Sequence, residues 1–432
     1  GCLAVSFVRT LTSLGPRYLA LWLGQTISQF GTYVAFLTLP LLVVHIQEAR
    51  GAGSTLDFSI TYALETAPTA ILGLVGGVLL DRLNLRPVMI ATDLGRAAAF
   101  FYLTANLDNY GIGTVFVVAF LVGSMTTFFD GALYTMIPAL VPKERLAEAN
   151  GFVAASQQAN FALGLLAAGV LASATGGPAL GLFINGASFV ISALSLIWVG
   201  RVQHHRRPDD ERAAFLTEAA NGIRYLWAEP RLRITTIAAV IPNFVVGFIE
   251  ATFVVLAVVV LEAETETEIG ILFAALGVGG VVGALLAPRI IRSLGLGKTL
   301  ILGMSITGLG LFAVMFTRYG PLAIALQIGW MVGVSIINVP LATIRQHYAP
   351  PSMIGRIITA SRAIGWATLP IGALVGGWLG AGEETYPWVA RLFPLLLLGT
   401  TLWLFTTVVW TDTYGPGYGG KHEKAVNRPT GV

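Results

Sequence analysis

Twelve stretches, each long and apolar enough to cross a bilayer as a helix, leave this chain little choice of architecture. A hydrocarbon core of about 30 Å takes roughly 20 apolar residues per helical span. A window of that size finds spans near 18–46, 57–80, 88–106, 112–139, 148–174, 178–200, 234–260, 269–288, 298–317, 320–344, 357–381 and 387–410. The first, Tyr18–Ile46, runs 29 residues without Asp, Glu, Lys or Arg. A signal peptide's apolar core is shorter, about 7–15 residues. Only 11% of the chain is charged, against about 25% in soluble globular proteins. A soluble enzyme, a disordered scaffold or a nucleic-acid binder needs more polar surface than that. The expected fold class is an all-α integral membrane protein whose first partner is the lipid bilayer.

Most connections are short, so neighbouring helices run antiparallel. The exception, 201–233, is polar and divides the spans six and six. The expected domains are a segment at 1–17, a six-helix bundle at 18–200, the linker at 201–233, a second bundle at 234–410 and a disordered tail at 411–432. With the N-terminus inside, all but four of the 26 Lys and Arg lie at the cytoplasmic face, the exceptions being Arg50, Arg96, Arg318 and Arg391. The positive-inside rule therefore puts both termini in the cytoplasm. The outer loops carry acids instead, among them Glu48, Asp57, Glu262, Glu264, Glu266 and Glu268. A shift of 206 residues lays Gly73, Gly77, Leu79, Leu80 and Arg86 on Gly279, Gly283, Leu285, Leu286 and Arg292. Matches at equivalent positions of two six-span halves suit the parallel repeats of secondary transporters. Within the linker, Phe215, Ala219, Ile223 and Leu226 share one helical face. Two readings stand: an amphipathic helix on the membrane surface, or a linker helix packed on the bundles.

The most specific motif is Gly77-Val-Leu-Leu-Asp81-Arg82-Leu-Asn84-Leu-Arg86-Pro87. It resembles Gly-x3-Asp-Arg-x3-Arg, the pattern of the major facilitator superfamily between its second and third helices. Asn84 stands where that family usually has Gly, and Leu85 replaces a usual Arg. Leu21-Trp22-Leu-Gly24-Gln25 through Gly31, Ala91-Thr-Asp93-Leu-Gly-Arg96 and Ile137 to Asn150 are similar to the macrolide-efflux and enterobactin-exporter branch. The resemblance covers roughly 18–410 and implies twelve helices in two parallel repeats, exporting a small organic molecule in exchange for protons. A Gly- and Pro-containing motif common in the fifth helix of antiporters is reduced here to Gly164 and Gly169 without Pro. A similar pattern appears in the eleventh helix as Pro370-Ile-Gly372-Ala-Leu-Val-Gly376-Gly377.

Ionisable groups inside spans are costly and point to function. At about 1.5 Å per residue, Asp93 and Arg96 lie about 8 and 12 Å in from the cytoplasmic side, and Asp130 about 27 Å from the outer end. With Asp81, Arg82, Arg86 and Arg362 they form a candidate gating charge network, and Gly77 is its close-packing glycine. Glu65 and Glu250 lie deeper, about 22–24 Å from the inner ends, one in each repeat. Neither has a basic residue within a helical turn, so they are the candidates for proton coupling or substrate binding. The alternative reading places them, hydrated, at the outer mouth as tuners of cation preference. Trp22, Gln25, Gln29, Asn243, Trp330, Asn338 and Trp366 are candidate lining residues for an amphipathic ligand.

One cysteine and five scattered histidines offer no disulfide framework and no metal-ligand spacing, so no cofactor is expected. Nor is there a phosphate loop or a nucleophile–base pair. An enzyme is therefore not expected, and the resemblance implies a monomeric, proton-coupled exporter of a drug, siderophore or related metabolite in a bacterial cell membrane. A lipid or lysolipid flippase, a small-molecule importer, and a receptor or structural membrane protein that has lost coupling are the rival readings.

Overall fold

The structure, a computed structural model, describes residues 11, 13–50, 54–80, 84–107, 109, 111–142, 145–200, 222–350, 354–382 and 384–409. Helices dominate because a chain in lipid must satisfy every backbone polar group within itself. The first six are α1 (Pro16–Arg50), α2 (Thr55–Leu80), α3 (Leu85–Ala105), α4 (Ile112–Leu140), α5 (Leu146–Thr175) and α6 (Ala179–Val199). A helical turn at 222–228 then leads into α7 (Pro230–Ala251), followed by α8 (Glu266–Leu294), α9 (Leu296–Val314) and α10 (Pro321–Tyr348). The eleventh span is in two pieces, Ile354–Trp366 and Thr368–Leu379, here α11, and α12 is Tyr386–Phe405. Ten helices among the described residues are long and apolar enough to cross a membrane. The two pieces of α11 are individually shorter than a span.

Short connections make the helices alternate in direction, which gives the molecule a basic end and an acidic end. Arg17, Arg86, Arg145, Arg231 and Arg292 mark the first; Glu48, Asp57, Glu264 and Glu268 mark the second. Packing differs between the two ends. Toward the acidic end one core runs without a break through both halves, from Val34, Leu42 and Phe100 to Phe248, Phe273 and Leu397. Toward the basic end the cores are separate, one built from residues of 11–199 and the other from 238–409. Contacts that cross the halves follow the same division. Phe36 meets Phe273 edge-on at 5.8 Å, and Ser173 Oγ donates to Glu266 Oε2 at 3.1 Å. α5 and α8 touch backbone to backbone at Gly169 and Gly270, where a Cβ on Gly169 would collide with the Glu266 carbonyl. The halves are thus sealed at the acidic end and part toward the basic end.

Two spans depart from the continuous helices read in the sequence. After Ala251, α7 stops at Thr252 (φ −112°, ψ 18°), then resumes as Phe253–Val255 and a π-helical turn, Leu256–Val260. The cause is tertiary: Thr252 Oγ1 and Tyr386 OH lie 2.8 Å apart, and Tyr386 OH also donates to the Thr252 carbonyl at 3.2 Å. α11 is interrupted at Ala367, where Thr368 Oγ1 bonds the Val240 carbonyl of α7 at 3.1 Å. In the linker, Leu226 is buried with Leu232, Ala349 and Ile357, while Ile223 and Trp227 stay exposed. The described end of the linker therefore packs on the second half. Phe215, Ala219, Asp81, Arg82, 1–10 and the tail at 411–432 lie outside the described residues.

Candidate functional site

Glu65 and Glu250, far apart in sequence, line one small cavity at the seam between the halves. α1 contributes Phe36, Leu39, Pro40 and Val43, α2 contributes Phe58, Thr61, Tyr62 and Glu65, and α7 contributes Glu250 and Ala251. The cavity measures about 20 Å³, room for one water molecule. Tyr62 OH donates to Glu250 Oε2 at 2.6 Å, so a hydrogen bond spans the seam. An O–H···O⁻ contact of this length is of the charge-assisted kind. Glu65 lies three residues beyond Tyr62 on the same face of α2, half-buried, and has no hydrogen bond or ion pair among the described residues. Glu250 is positioned by the last turn of α7 before the break at Thr252. The Tyr386 clamp on that break therefore fixes where its carboxyl points. Tyr62 was not singled out from the sequence; its position one turn before Glu65 was the available signal.

A second polar group lies within the first half, toward its basic end. Asp93 and Arg96 form a buried ion pair of 2.5 Å, one turn apart on α3. The Arg96 guanidinium sits between the Phe129 and Phe189 rings, at 4.4 and 4.2 Å, and donates to Thr126 Oγ1 at 3.3 Å. Gln25 Nε2 donates to Ser192 Oγ at 2.9 Å on the side of the Asp93 carboxyl. Asp130, on α4, is exposed and close enough to Arg96 to interact with its charge. Arg86 does not join this group. Its Nε and Nη2 donate to the carbonyls of Leu196 and Ile197 at 2.8 and 3.0 Å, capping the end of α6. Cations at a helix C-terminus meet the negative end of the dipole. Arg362 belongs to the other half, with its guanidinium 4.7 Å above the Trp366 ring. Gly77 lies within α2 near the basic end.

The expected lining residues divide into two sets. Trp22 Nε1 donates to the Phe152 carbonyl at 3.3 Å, Gln25 is buried against Ser192, and the buried Trp330 donates to Gln327 Oε1. The first two tie α1 to α5 and α6, and the Trp330 bond stays within α10. Gln29 is half-buried, Asn338 is exposed, and Trp366 is 43% exposed. Asn243 Nδ2 donates to the Ala239 carbonyl at 2.9 Å and lies beside Gly365 of α11. Arg345 read from the sequence as a charge at the membrane surface, but the structure buries it to 7% exposure. No group of three or more His, Cys, Asp or Glu that could hold a metal occurs among the described residues.

Two helical halves sealed at one end and parted at the other, with carboxyls on the seam and a buried ion pair in one half, define a multi-pass membrane carrier. The chain belongs to the Major Facilitator Superfamily, whose profile matches residues 21–370. Its relatives include the multidrug efflux pump Tap of Mycolicibacterium fortuitum, 26% identical over 409 residues, covering 90% of this chain and 95% of that one. The enterobactin exporter EntS of Salmonella choleraesuis is 26% identical over 381 residues, covering 86% and 87%. Among solved structures, the nucleoside transporter NupG superposes with a TM-score of 0.70 at 12% identity, covering 90% and 98%. A bacterial homologue of the iron transporter ferroportin in its inward-facing state superposes with a TM-score of 0.70 at 17% identity, again covering 90% and 98%. At such identities the structures speak for the fold alone. The protein is a twelve-helix transporter of this superfamily, with efflux pumps among its relatives.

Proposed function

We propose that the protein exports a small amphipathic organic molecule from a bacterial cytoplasm by alternating access, in exchange for protons. The observation that carries this reading is the meeting of Glu65, Glu250 and Tyr62 in one cavity on the seam. A carboxyl without a basic partner can take up and release a proton. One placed on a surface that must separate does so in step with opening. With the acidic end outside, as the arginine distribution favours, the Tyr62–Glu250 bond belongs to the state open to the cytoplasm. A proton on Glu250 weakens its role as acceptor and eases the opening of the outer side. Relatives named as a multidrug efflux pump and an enterobactin exporter support the direction and the substrate class.

The other end of the cycle requires the basic side to close. There the first half presents Asp130 beside the Asp93–Arg96 pair, and the second half presents Arg362. Opposite charges on the two walls favour closure, and Asp81 and Arg82, after Gly77 on the second helix, are assigned to the same gate. Export of a panel of anionic, neutral and cationic amphipathic dyes, measured in everted vesicles against an imposed pH gradient, tests the coupling. Glu250→Gln should retain dye binding while its export no longer responds to the gradient, and Glu65→Gln should show a weaker form of the same loss. A Glu250→Gln variant that follows the gradient as steeply as the parent removes Glu250 from the coupling site and leaves Asp93 or Asp130.

A further inference from the structure

Two arginines stand together toward the basic end of the second half, in no ion pair among the described residues. Arg345, in the last turn of α10, makes one long hydrogen bond among the described residues, 3.4 Å from Nη2 to the Thr235 carbonyl. Its buried Nε has no partner there. Arg362 of α11 is near enough for the two positive charges to act on each other. The Trp366 ring lies 4.7 Å below the Arg362 guanidinium, and the Thr236 and Ser361 hydroxyls meet at 2.8 Å on the adjoining turns. Asn338, two turns back from Arg345 along α10, is exposed. Of the described acids from 222 to 409, Glu250, Glu262, Glu264, Glu266, Glu268 and Glu384 lie toward the acidic end, and Glu229, the N-cap of α7 toward the basic end, is 3.7 Å from Arg231. Neither arginine forms an ion pair among the described residues.

A buried arginine beside a second positive charge is unfavourable unless an opposite charge joins them. Arg362 lies eight residues into its helix, about 12 Å. An exposed guanidinium at that depth faces the water-filled opening, since facing hydrocarbon is strongly disfavoured. Guanidinium forks match carboxylate, sulfonate and phosphate oxygens, and an exposed indole beside them offers a flat apolar surface.

We infer that Arg345, Arg362 and Trp366 form the substrate's head-group site, and that the transported molecule is an organic anion with an aromatic or apolar body. The inference rests on the export reading above and names its substrate class. The shared chemistry is an anionic head on an apolar body, whether a soluble aromatic acid or a monoacyl anionic lipid.

The test is equilibrium binding to the full chain in nanodiscs of zwitterionic lipid. The probes are 2-naphthoate and 2-naphthylmethylammonium, alike in body and opposite in charge. The parent should bind the anion saturably and more tightly than the cation. Arg362→Gln, at an exposed position, should weaken the anion about tenfold or more, the scale of a lost charge-assisted hydrogen bond, and Arg362→Lys should recover part of the loss. Arg345→Gln should act in the same direction where it folds. Competition by monoacyl phosphatidylglycerol and by soluble aromatic carboxylates identifies the source: the better competitor in the parent should lose its advantage in Arg362→Gln. Equal naphthoate binding in parent and Arg362→Gln, or a parent that prefers the cation, overturns the site and leaves Arg362 a gate charge only. Naphthoate binding without gradient-driven export of any dye upholds the site while refuting coupled export. Gradient-driven export with no arginine-dependent anion binding does the reverse.

Discussion

Tyr62 contributes a single hydroxyl to the seam, and its removal separates ring packing from hydrogen bonding. In Tyr62→Phe the ring keeps its place among Ala63, Ala251 and Ala373 while the bond to Glu250 is lost. A hydrogen bond to a charged group contributes about 1.5–3 kcal/mol, so the balance between closed and open acidic ends should move about tenfold to hundredfold toward open. Spin labels at Asn109 and Glu264, one in each half near that end, should report the longer separation; an unchanged distance distribution would show that the bond does not hold the seam. Counting residues along the spans placed Glu65 and Glu250 at one depth, because rise per residue is fixed in a helix. It could not show that they share a cavity, since the facing of one helix relative to another comes from packing between halves. Arg345 illustrates the same limit. Its place near a span's end reads as a surface charge, and only the approach of α7 and α11 buries it.

Helices were the most legible level of this protein, because twenty apolar residues in a row have no other low-energy form in lipid. The third span read as 88–106 is observed as Leu85–Ala105, and the fourth read as 112–139 as Ile112–Leu140. The break in α7 was not legible: Ala251-Thr252 carries no Gly or Pro, and the Tyr386 hydroxyl that stabilises it is 134 residues away. Glycines that look alike in sequence also take two roles. Gly372 packs inside the second half, where a Cβ would strike the Phe244 carbonyl of α7. Gly169 packs across the seam against Gly270. Overfilling a packed contact costs about 1–3 kcal/mol, and the two sites should express that cost differently. Gly372→Ala should lower thermal stability and yield. Gly169→Ala should leave stability near the parent's but open the acidic end, since only the sealed state contains the clash. Maleimide labelling of Thr61→Cys, in a Cys2→Ser background, checks this: the cavity cysteine should react faster in the Gly169→Ala protein. Equal labelling with equal loss of stability in both variants would make Gly169 an ordinary packing glycine.

For the whole molecule, the arrangement of charge carries orientation as well as mechanism. Nearly all Lys and Arg lie at one end, where the halves part, while the loops at the other end, where one continuous core joins them, carry more acids than bases. Insertion into a membrane retains short arginine-rich loops in the cytoplasm, and acidic loops contribute little to that choice. The parted end should therefore face the cytoplasm and the sealed Tyr62–Glu250 end the outside, which is the geometry for loading a substrate to be exported. Asn84, exposed between α2 and α3, and Glu264, exposed between α7 and α8, mark the two faces. In the Cys2→Ser background, a cysteine at Glu264 should react with a membrane-impermeant maleimide in intact cells. One at Asn84 should react only in everted vesicles. The reverse pattern would invert the molecule, place Glu65 and Glu250 nearer the cytoplasm, and turn the same proton-coupled cycle from export to uptake.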